Sequence, residues 1–353
     1  MTPLRLPERV NAVFLSQAES CEKLGSPFTA LLLGSIAKYG LPDTPVRQRL
    51  ATWEGDISGS GDSIPLRLAG TLHQMVIRNL DADLAAIYPP HGTMPGSSVV
   101  ADTVGQAIVR HQTFVDHCLD SPPQTNEIRR SSAIYPALLR IAAQTGLPMR
   151  LSEVGASAGL NLLMDRFHYK FAGEAYGEKG SSVRLEPEWK GGQAPTVDLE
   201  IADRRGCDLR PFDLTSEDDR IRLRSYTWPD QQDRLDRLDA AIELAREHPF
   251  VVDRADAVQW LEERLDTRPA GHADVVFNTI AWQYLPEEAR KKGSALIEKA
   301  GRKAGLDTPL FWVSMEADNE RPGALLQMIE WPGAQAKRLG RADFHGRWVD
   351  WRA

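Results

Sequence analysis

Hydrophobic and polar residues follow two different periods along the chain. Up to about residue 147, apolar residues recur at intervals of three and four positions, which predicts amphipathic helices. Ser26 would cap the first of these helices, and Pro27 would occupy its first turn. The pattern therefore predicts a helical N-terminal region at residues 1–124. The helices that it predicts up to Gly146 lie at 26–38, 65–80, 97–119 and 128–146.

From Met149 onward, short apolar runs alternate with helical patterns. Such alternation predicts a mostly parallel sheet with helices on both of its faces. The runs that we interpret as strands are 149–154, 198–202, 250–252, 274–278 and 310–315. The helical patterns between them are 230–248, 255–265 and 286–301. The segment from residue 324 to the C-terminus predicts a terminal antiparallel pair, and the glycine- and aromatic-rich segment 168–189 predicts an inserted hairpin.

Composition and charge narrow the class of protein. Of the 353 residues, 42% are hydrophobic and 26% are charged, which is typical of a globular chain. The net charge of −7 argues against a nucleic-acid partner. The three cysteines are widely spaced and form no CxxC pair, so we expect no disulfide framework and no metal site.

The chain shows no signal peptide, and its longest apolar run is too short to span a membrane. We therefore expect a cytoplasmic protein that acts on a small-molecule substrate and has no membrane partner. The sequence leaves the oligomeric state open.

The stretch EVGASAGLNL, at residues 153–162, is the main candidate for chemistry. It contains G-x-S-x-G, the pattern of a hydrolase nucleophile elbow, with Ser157 as the nucleophile. Asp256 or Asp274 and then His345 follow in the chain order that a hydrolase requires, and His91-Gly92 could imitate an oxyanion loop. The helical pattern before the elbow argues against this interpretation, because a hydrolase has several strands there. Glu153 also argues against it, because its negative charge would oppose an oxyanion.

The same stretch is also typical of a cofactor loop. Five small residues, Gly155 to Gly159, lie between a predicted strand and a helix, and small side chains let a ligand approach the backbone closely. Leu160 replaces the third glycine of G-x-G-x-x-G, which disfavours an NAD site. No Gly-Lys-Ser/Thr follows, which excludes a P-loop. Ligands of doubly wound sheets bind beyond the carboxyl ends of the strands, where this loop would lie.

Glu-x-Gly-x-x-x-Gly after a first strand resembles motif I of the Rossmann-like S-adenosylmethionine-dependent methyltransferases, over roughly residues 125–353. The resemblance implies an α/β fold with a mostly parallel methyltransferase sheet, a terminal antiparallel hairpin and the helical N-terminal region. Across nearly the whole chain, six segments also resemble a bacterial family of unknown function. These segments are LGSPFTALLL, PLRLAGTLHQMVIR, TNEIRRS, EVGASAGLNL, FNTIAWQYLP and FHGRWVDW.

The methyltransferase resemblance implies S-adenosylmethionine as the cofactor. Gly155, Ser157 and Gly159 would line its methionine part. Glu153 would lie near the cofactor amino group. Ser157 departs from the family pattern, because the usual residue at its position is glycine. The glycines have an alternative role in a tight turn without a ligand.

Acidic residues after the second and third strands would bind the nucleoside part. Asp203 is the candidate for the ribose hydroxyls, and Asp208 is its competitor. Asp256 is the candidate for the adenine, although it fits equally well as the N-cap of the helix that follows it.

Further candidates surround the expected acceptor site. Asn278 matches the position that faces the substrate, and Glu316 and His345 are candidate general bases. Residues expected to contact the substrate either follow the fourth strand or precede the first one, and they are Trp282, Tyr284, Asn126, Glu127 and Arg129. Large aromatic residues serve equally well as packing residues.

We therefore expect methyl transfer from S-adenosylmethionine to an unknown small-molecule acceptor. Two alternatives remain open at this point. One is a serine hydrolase that uses Ser157. The other is a non-catalytic protein that binds the cofactor. This alternative stays open because Ser157 replaces the usual glycine of the methyltransferase pattern.

Overall fold

The computed structural model describes residues 3–59, 61–90 and 93–353. The candidate oxyanion loop His91-Gly92 lies outside the described residues. The chain divides into two compact units. One unit consists of the residues up to Thr125 together with Thr215–Asp236, and the other consists of Asn126–Leu214 together with Arg237–Ala353. The sequence pattern predicts a boundary between residues 124 and 125, but nothing in it indicates that 215–236 belong to the first unit.

The elements have the following bounds. The helices are α1 (Glu8–Lys23), α2 (Pro27–Tyr39), α3 (Pro45–Ala51), α4 (Ile64–Ile77), α5 (Ala82–Ile87), α6 (Ser97–Arg110), α7 (Gln112–Cys118), α8 (Ser131–Thr145), α9 (Glu217–Ser225), α10 (Gln232–Glu247), α11 (Ala257–Asp266) and α12 (Glu287–Gly301). The strands are β1 (Pro3–Leu4), β2 (Leu41–Pro42), β3 (Met149–Val154), β4 (His168–Phe171), β5 (Glu174–Gly177), β6 (Arg184–Leu185), β7 (Glu188–Gly191), β8 (Ile201–Asp208), β9 (Val251–Arg254), β10 (Ala273–Thr279), β11 (Leu310–Glu316), β12 (Ala324–Trp331), β13 (Gln335–Ala342) and β14 (Trp348–Trp351). Short 3₁₀ turns lie at Ile128–Arg130, Leu160–Arg166 and Trp282–Tyr284.

The first unit is helical, and its core forms where the apolar faces of α1, α2, α4 and α6 meet. Helix α2 begins at Pro27 after Ser26, but the Ser26 side chain makes no capping bond to the helix. Asp230 takes that role, because its Oδ2 accepts the Phe28 backbone N–H at 2.7 Å and its Oδ1 accepts from the Ser26 hydroxyl. A residue far downstream therefore satisfies one of the N–H groups that have no partner within the helix at the start of α2.

The second unit is built on a nine-stranded sheet of the described chain, in the order β7-β14-β13-β12-β11-β10-β3-β8-β9. Strands β9, β8, β3, β10 and β11 are parallel, and β12, β13 and β14 continue the sheet in antiparallel pairs. The edge strand β7 pairs with β14 in parallel. The prediction of an α/β fold with a mostly parallel sheet is confirmed.

The order of the parallel strands fixes where a ligand site can form. After β3 the chain adds β8 and β9 on one side, and it then returns to add β10 and β11 on the other. The strand order therefore reverses between β3 and β10, where Glu153 pairs in register with Phe277. Neither strand has an exposed residue, because both lie in the middle of the sheet. Ligands of such sheets bind beyond the carboxyl ends of the strands at this reversal.

The bounds of the second strand differ from the prediction. The sequence pattern predicts it at 198–202, whereas β8 comprises Ile201–Asp208. The charged residues of β8 explain the difference, because a run of Asp and Arg lacks the apolar pattern that predicts a strand. In the folded chain these charges are paired: Arg204 binds Asp165 and Arg205 binds Asp253.

The inserted segment contains more than the predicted hairpin at 168–189. Strands β4 and β5 form an antiparallel hairpin, and β6 pairs with β4 in parallel. Strand β7 then leaves this small sheet and forms one edge of the large one. Within the part of the chain that the structure describes, no helix combines the length and the apolar character needed to cross a membrane.

Candidate functional site

The candidate site begins with the GASAG turn, residues 155–159, which follows β3. The N–H groups of Gly155 and Ala156 both donate to the Cys207 carbonyl at 3.0 Å. The Ser157 N–H donates to Asp208 Oδ2 at 2.9 Å, and the Ser157 carbonyl accepts from the Phe212 N–H at 3.3 Å. The end of β8 and the residues after it therefore hold the turn in place.

Packing requires the two outer glycines of the turn. Gly155 and Gly159 have φ of +71° and +74°, a conformation that glycine adopts without steric cost. A Cβ on Gly155 would lie 2.5 Å from Ala281 Cβ, and one on Gly159 would lie 2.3 Å from Phe250 Cε2. Both glycines thus have a structural reason that is independent of any ligand.

Two residues beside the strand reversal adopt left-handed backbone conformations although they carry a Cβ. Ser157, after β3, has φ of +57°, and Ile280, after β10, has φ of +50°. For a β-branched residue such as Ile280 this conformation is a clear outlier. Strained backbone of this kind clusters at binding and catalytic sites, where the surrounding structure holds it in place.

Two buried polar atoms at this turn have no hydrogen-bond partner among the described residues. They are Glu153 Oε2 and Ser157 Oγ, on side chains whose residues are 2% and 4% exposed. An unsatisfied buried polar group costs about 1–3 kcal/mol. Burial raises the pKa of the Glu153 carboxyl well above its usual range, and the Asp208 charge acts in the same direction. The Arg130 cation opposes both effects on this pKa.

The segment 126–131, which we call the strap, lies against the exit of the GASAG turn. Asn126 Oδ1 accepts the Leu160 N–H at 2.8 Å, and the Ser131 hydroxyl donates to Asn161 Oδ1 at 2.7 Å. The Asn161 amide donates to the Glu127 carbonyl at 3.4 Å. The structure thus brings the predicted residues Asn126 and Glu127 to the turn.

Arg130 joins the strap to two other elements, and sequence analysis did not select it. Its Nη1 donates to the Thr279 carbonyl at the end of β10, at 3.2 Å. Its Nε donates to the Phe344 carbonyl in the turn 343–347, at 3.0 Å. The two arginines of TNEIRRS were visible in the sequence, but nothing in it distinguishes Arg130 from the predicted Arg129.

His345 lies on the same turn 343–347, and its backbone N–H donates to Asp343 Oδ1 at 3.0 Å. The turn packs tightly on the strap, since a Cβ on Gly346 would lie 2.3 Å from the Arg129 carbonyl oxygen. The predicted residues Arg129 and His345 therefore lie near each other, at the carboxyl ends of the parallel strands.

Asn278, which is buried, and Glu316, which is partly buried, form one hydrogen-bond network. The Asn278 amide donates to Glu316 Oε1 at 2.7 Å, and its oxygen accepts the Trp312 indole N–H at 2.9 Å. Glu316 also accepts three backbone N–H groups at 2.9–3.3 Å, from Ala281, Trp282 and Gln283. These bonds hold the segment after β10 in place, and they give the side chains of Asn278 and Glu316 a structural role. Their catalytic roles remain predictions.

The two predicted aromatic residues differ in environment. Trp282 packs in the core against Trp312, with ring centroids 5.1 Å apart. Its ring also packs closely on Gly293, since a Cβ there would lie 2.7 Å from Trp282 Cη2. Tyr284 is 62% exposed. Core packing accounts for the position of Trp282, whereas Tyr284 is accessible to a ligand.

The predicted position of Asp203 after the second strand is wrong. Asp203 lies inside β8, where it forms an ion pair with Arg264 and lies 3.7 Å from Arg150. Asp208 ends the strand instead and lies beside the GASAG turn. Asp256 follows β9 and caps α11, with its Oδ1 accepting from two backbone N–H groups at 2.9 and 3.2 Å.

The geometry does not support the triad of a serine hydrolase. The Ser157 hydroxyl has no hydrogen-bond partner within the described chain, so no base activates it. Asp274 lies near the start of β10, at the opposite end of the sheet, where Arg150 and Arg268 bind it at 2.9 Å. Of the two candidate aspartates, only Asp256 lies at the carboxyl edge.

The chain belongs to the bacterial family described as "Uncharacterized protein conserved in bacteria (DUF2332)", whose sequence pattern matches residues 11–351. No curated protein and no solved structure matches it.

Gly155→Ala should destabilise the protein whether or not a ligand is present, because the new methyl group would overlap Ala281. Overpacking costs about 1–3 kcal/mol, and the left-handed backbone adds to this penalty. Adding Ala281→Gly removes the overlap and should restore part of the free energy of unfolding measured by chemical denaturation. If the double variant is as unstable as the sum of the two single variants, the overlap is not the cause.

Glu153→Gln should stabilise the ligand-free protein increasingly as the pH rises. Burial raises the folded-state pKa of Glu153, so the stability that its proton provides is complete below the unfolded-state pKa and is lost as the pH rises through the folded-state pKa. The difference reaches about 1.4 kcal/mol for each unit by which the pKa is raised. Denaturation at several pH values measures it, with the exposed Glu263→Gln as the control. A difference that stays constant with pH would show that Glu153 has an ordinary pKa.

Proposed function

We propose that the protein is an S-adenosylmethionine-dependent methyltransferase that acts on a small molecule. The observation that carries the proposal is the pair of unsatisfied buried atoms, Glu153 Oε2 and Ser157 Oγ, at a turn of small residues. This turn lies where the strand order reverses, the usual ligand position in sheets of this kind.

The amino-acid end of S-adenosylmethionine fits these atoms chemically. An ammonium group donates hydrogen bonds and carries a positive charge, so it would supply the partner that Glu153 Oε2 lacks. It would also favour the ionised carboxylate, against the effect of burial on the Glu153 pKa. The energetic cost of burying this side chain in the free protein would then be recovered when the ligand binds.

The nucleoside end would lie beyond β8 and β9. Asp208 ends β8, and Asp256 follows β9. Each carboxylate already accepts backbone N–H groups, which fix its orientation. A carboxylate has about four acceptor positions, so both retain the capacity to bind hydroxyl or amino groups of a nucleoside.

The bound cofactor supplies an electrophilic methyl group, and the task of the chain is mainly to position the acceptor. The strap, the turn 343–347 and the segment around Tyr284 lie at the carboxyl ends of the parallel strands, where an acceptor would bind. Of the two candidate bases, His345 is favoured, because Glu316 already holds the Asn278 amide and three backbone N–H groups. A neutral imidazole has a ring nitrogen that can take a proton from an acceptor that it contacts.

Calorimetry with S-adenosylhomocysteine, the product of methyl transfer, tests the proposal. Wild-type protein should bind it with micromolar Kd and release protons on binding, so that the observed enthalpy changes with the ionisation enthalpy of the buffer. Glu153→Gln should weaken binding roughly 10- to 100-fold, the range for a hydrogen bond to a charged group, and should abolish the proton release.

Glu330→Gln is the matched control. Glu330 is also a buried glutamate whose Oε2 lacks a partner among the described residues, but it lies on β12. Its variant should bind like the wild type. A folded wild-type protein that does not bind S-adenosylhomocysteine would overturn the proposed function. Binding without methylation of any tested acceptor would favour a non-catalytic cofactor-binding protein.

A further inference from the structure

Ser157 occupies a position for which serine is a poor structural choice. Its φ of +57° lies in the left-handed region, which glycine adopts at lower cost than any residue with a Cβ. Gly155 and Gly159, on either side of it, share this conformation and are both glycine. The backbone of the turn alone would therefore favour glycine at residue 157 as well.

The fold uses the backbone of Ser157 but not its side chain. The N–H donates to Asp208 and the carbonyl accepts from Phe212, so both main-chain groups are satisfied. The hydroxyl is buried and makes no hydrogen bond within the described chain. A buried hydroxyl without a partner is unfavourable, and alanine or glycine would avoid it.

The second unsatisfied atom of the site limits what the hydroxyl can bind. Glu153 Oε2 is an acceptor on an acidic group, so it suits a cationic donor. In an amino acid, the ammonium and carboxylate groups are attached to the same carbon. A ligand whose ammonium group binds Glu153 would therefore bring a carboxylate close to the same turn, where a hydroxyl is a suitable donor.

We infer that the Ser157 hydroxyl is a specificity-determining group that donates a hydrogen bond to the carboxylate at the amino-acid end of the ligand. This inference rests on the proposed function. It assigns a recognition role to the residue at which the chain departs from the glycine of the methyltransferase pattern. Ser157 and Glu153 together would select ligands that carry an intact amino-acid group.

The test compares two ligands by calorimetry. S-adenosylhomocysteine carries the amino-acid end, and 5′-methylthioadenosine keeps the nucleoside but lacks that end. Ser157→Ala should weaken the Kd for S-adenosylhomocysteine about tenfold, as expected for the loss of one buried hydrogen bond, and should leave the Kd for 5′-methylthioadenosine unchanged. Ser157→Gly should have the same effect on binding.

Thermal unfolding of the ligand-free variants shows that they are folded. Both variants should unfold at the wild-type temperature or a few degrees above it, because each removes an unsatisfied hydroxyl and Ser157→Gly also relieves the backbone. Ser35→Ala removes another buried hydroxyl without a described partner, in α2, and Ala172→Gly relieves another left-handed residue, in the turn between β4 and β5. Neither control should change the binding of S-adenosylhomocysteine.

The outcomes separate this inference from the proposed function. If wild-type protein binds S-adenosylhomocysteine and both Ser157 variants bind it equally well, the inference is overturned and the proposed function stands. Equal weakening for both ligands would also overturn it, because the hydroxyl would then shape the turn rather than recognise the amino-acid end. A wild-type protein that binds neither ligand would overturn both.

Discussion

The burial of the Glu153 carboxyl at the end of the central strand is the constraint on which the rest of the site depends. Strands β8 and β10 flank this strand, and the Glu153 side chain is almost completely shielded from water. One of its oxygens has no partner among the described residues, and the nearby Asp208 charge further disfavours its ionised form. Among the described residues, the Arg130 cation acts on this pKa in the opposite direction. A cationic ligand group would resolve this unfavourable arrangement.

The elements around Glu153 are held in place by the protein itself. The GASAG turn is bonded to the end of β8, the strap is bonded to the exit of the turn, and Glu316 fixes the segment after β10. The left-handed backbone conformations of Ser157 and Ile280 are retained because these hydrogen bonds constrain the neighbouring main chain.

The sequence predicted best those elements whose ends carry local signals. Strand β3 was placed at its observed bounds, since Gly146 and Pro148 precede it and the small-residue turn 155–159 follows it. Strand β8 was misplaced because its charges are neutralised only by distant partners such as Asp165, and the error displaced Asp203 into the wrong role. Arg130 was missed for a related reason. Its partners are backbone carbonyls far along the chain, and no local pattern indicates them.

Infrared difference spectroscopy over a series of pH values tests most directly whether a ligand cation ionises the buried Glu153. The ligand-free wild-type protein should show the carbonyl stretch of a buried protonated carboxylic acid, and this band should be absent from Glu153→Gln. Saturation with S-adenosylhomocysteine should remove the band from the wild type, as the carboxyl loses its proton to pair with the ammonium group. A band that persists in the saturated complex, or a ligand-free spectrum identical to that of Glu153→Gln, would contradict the account.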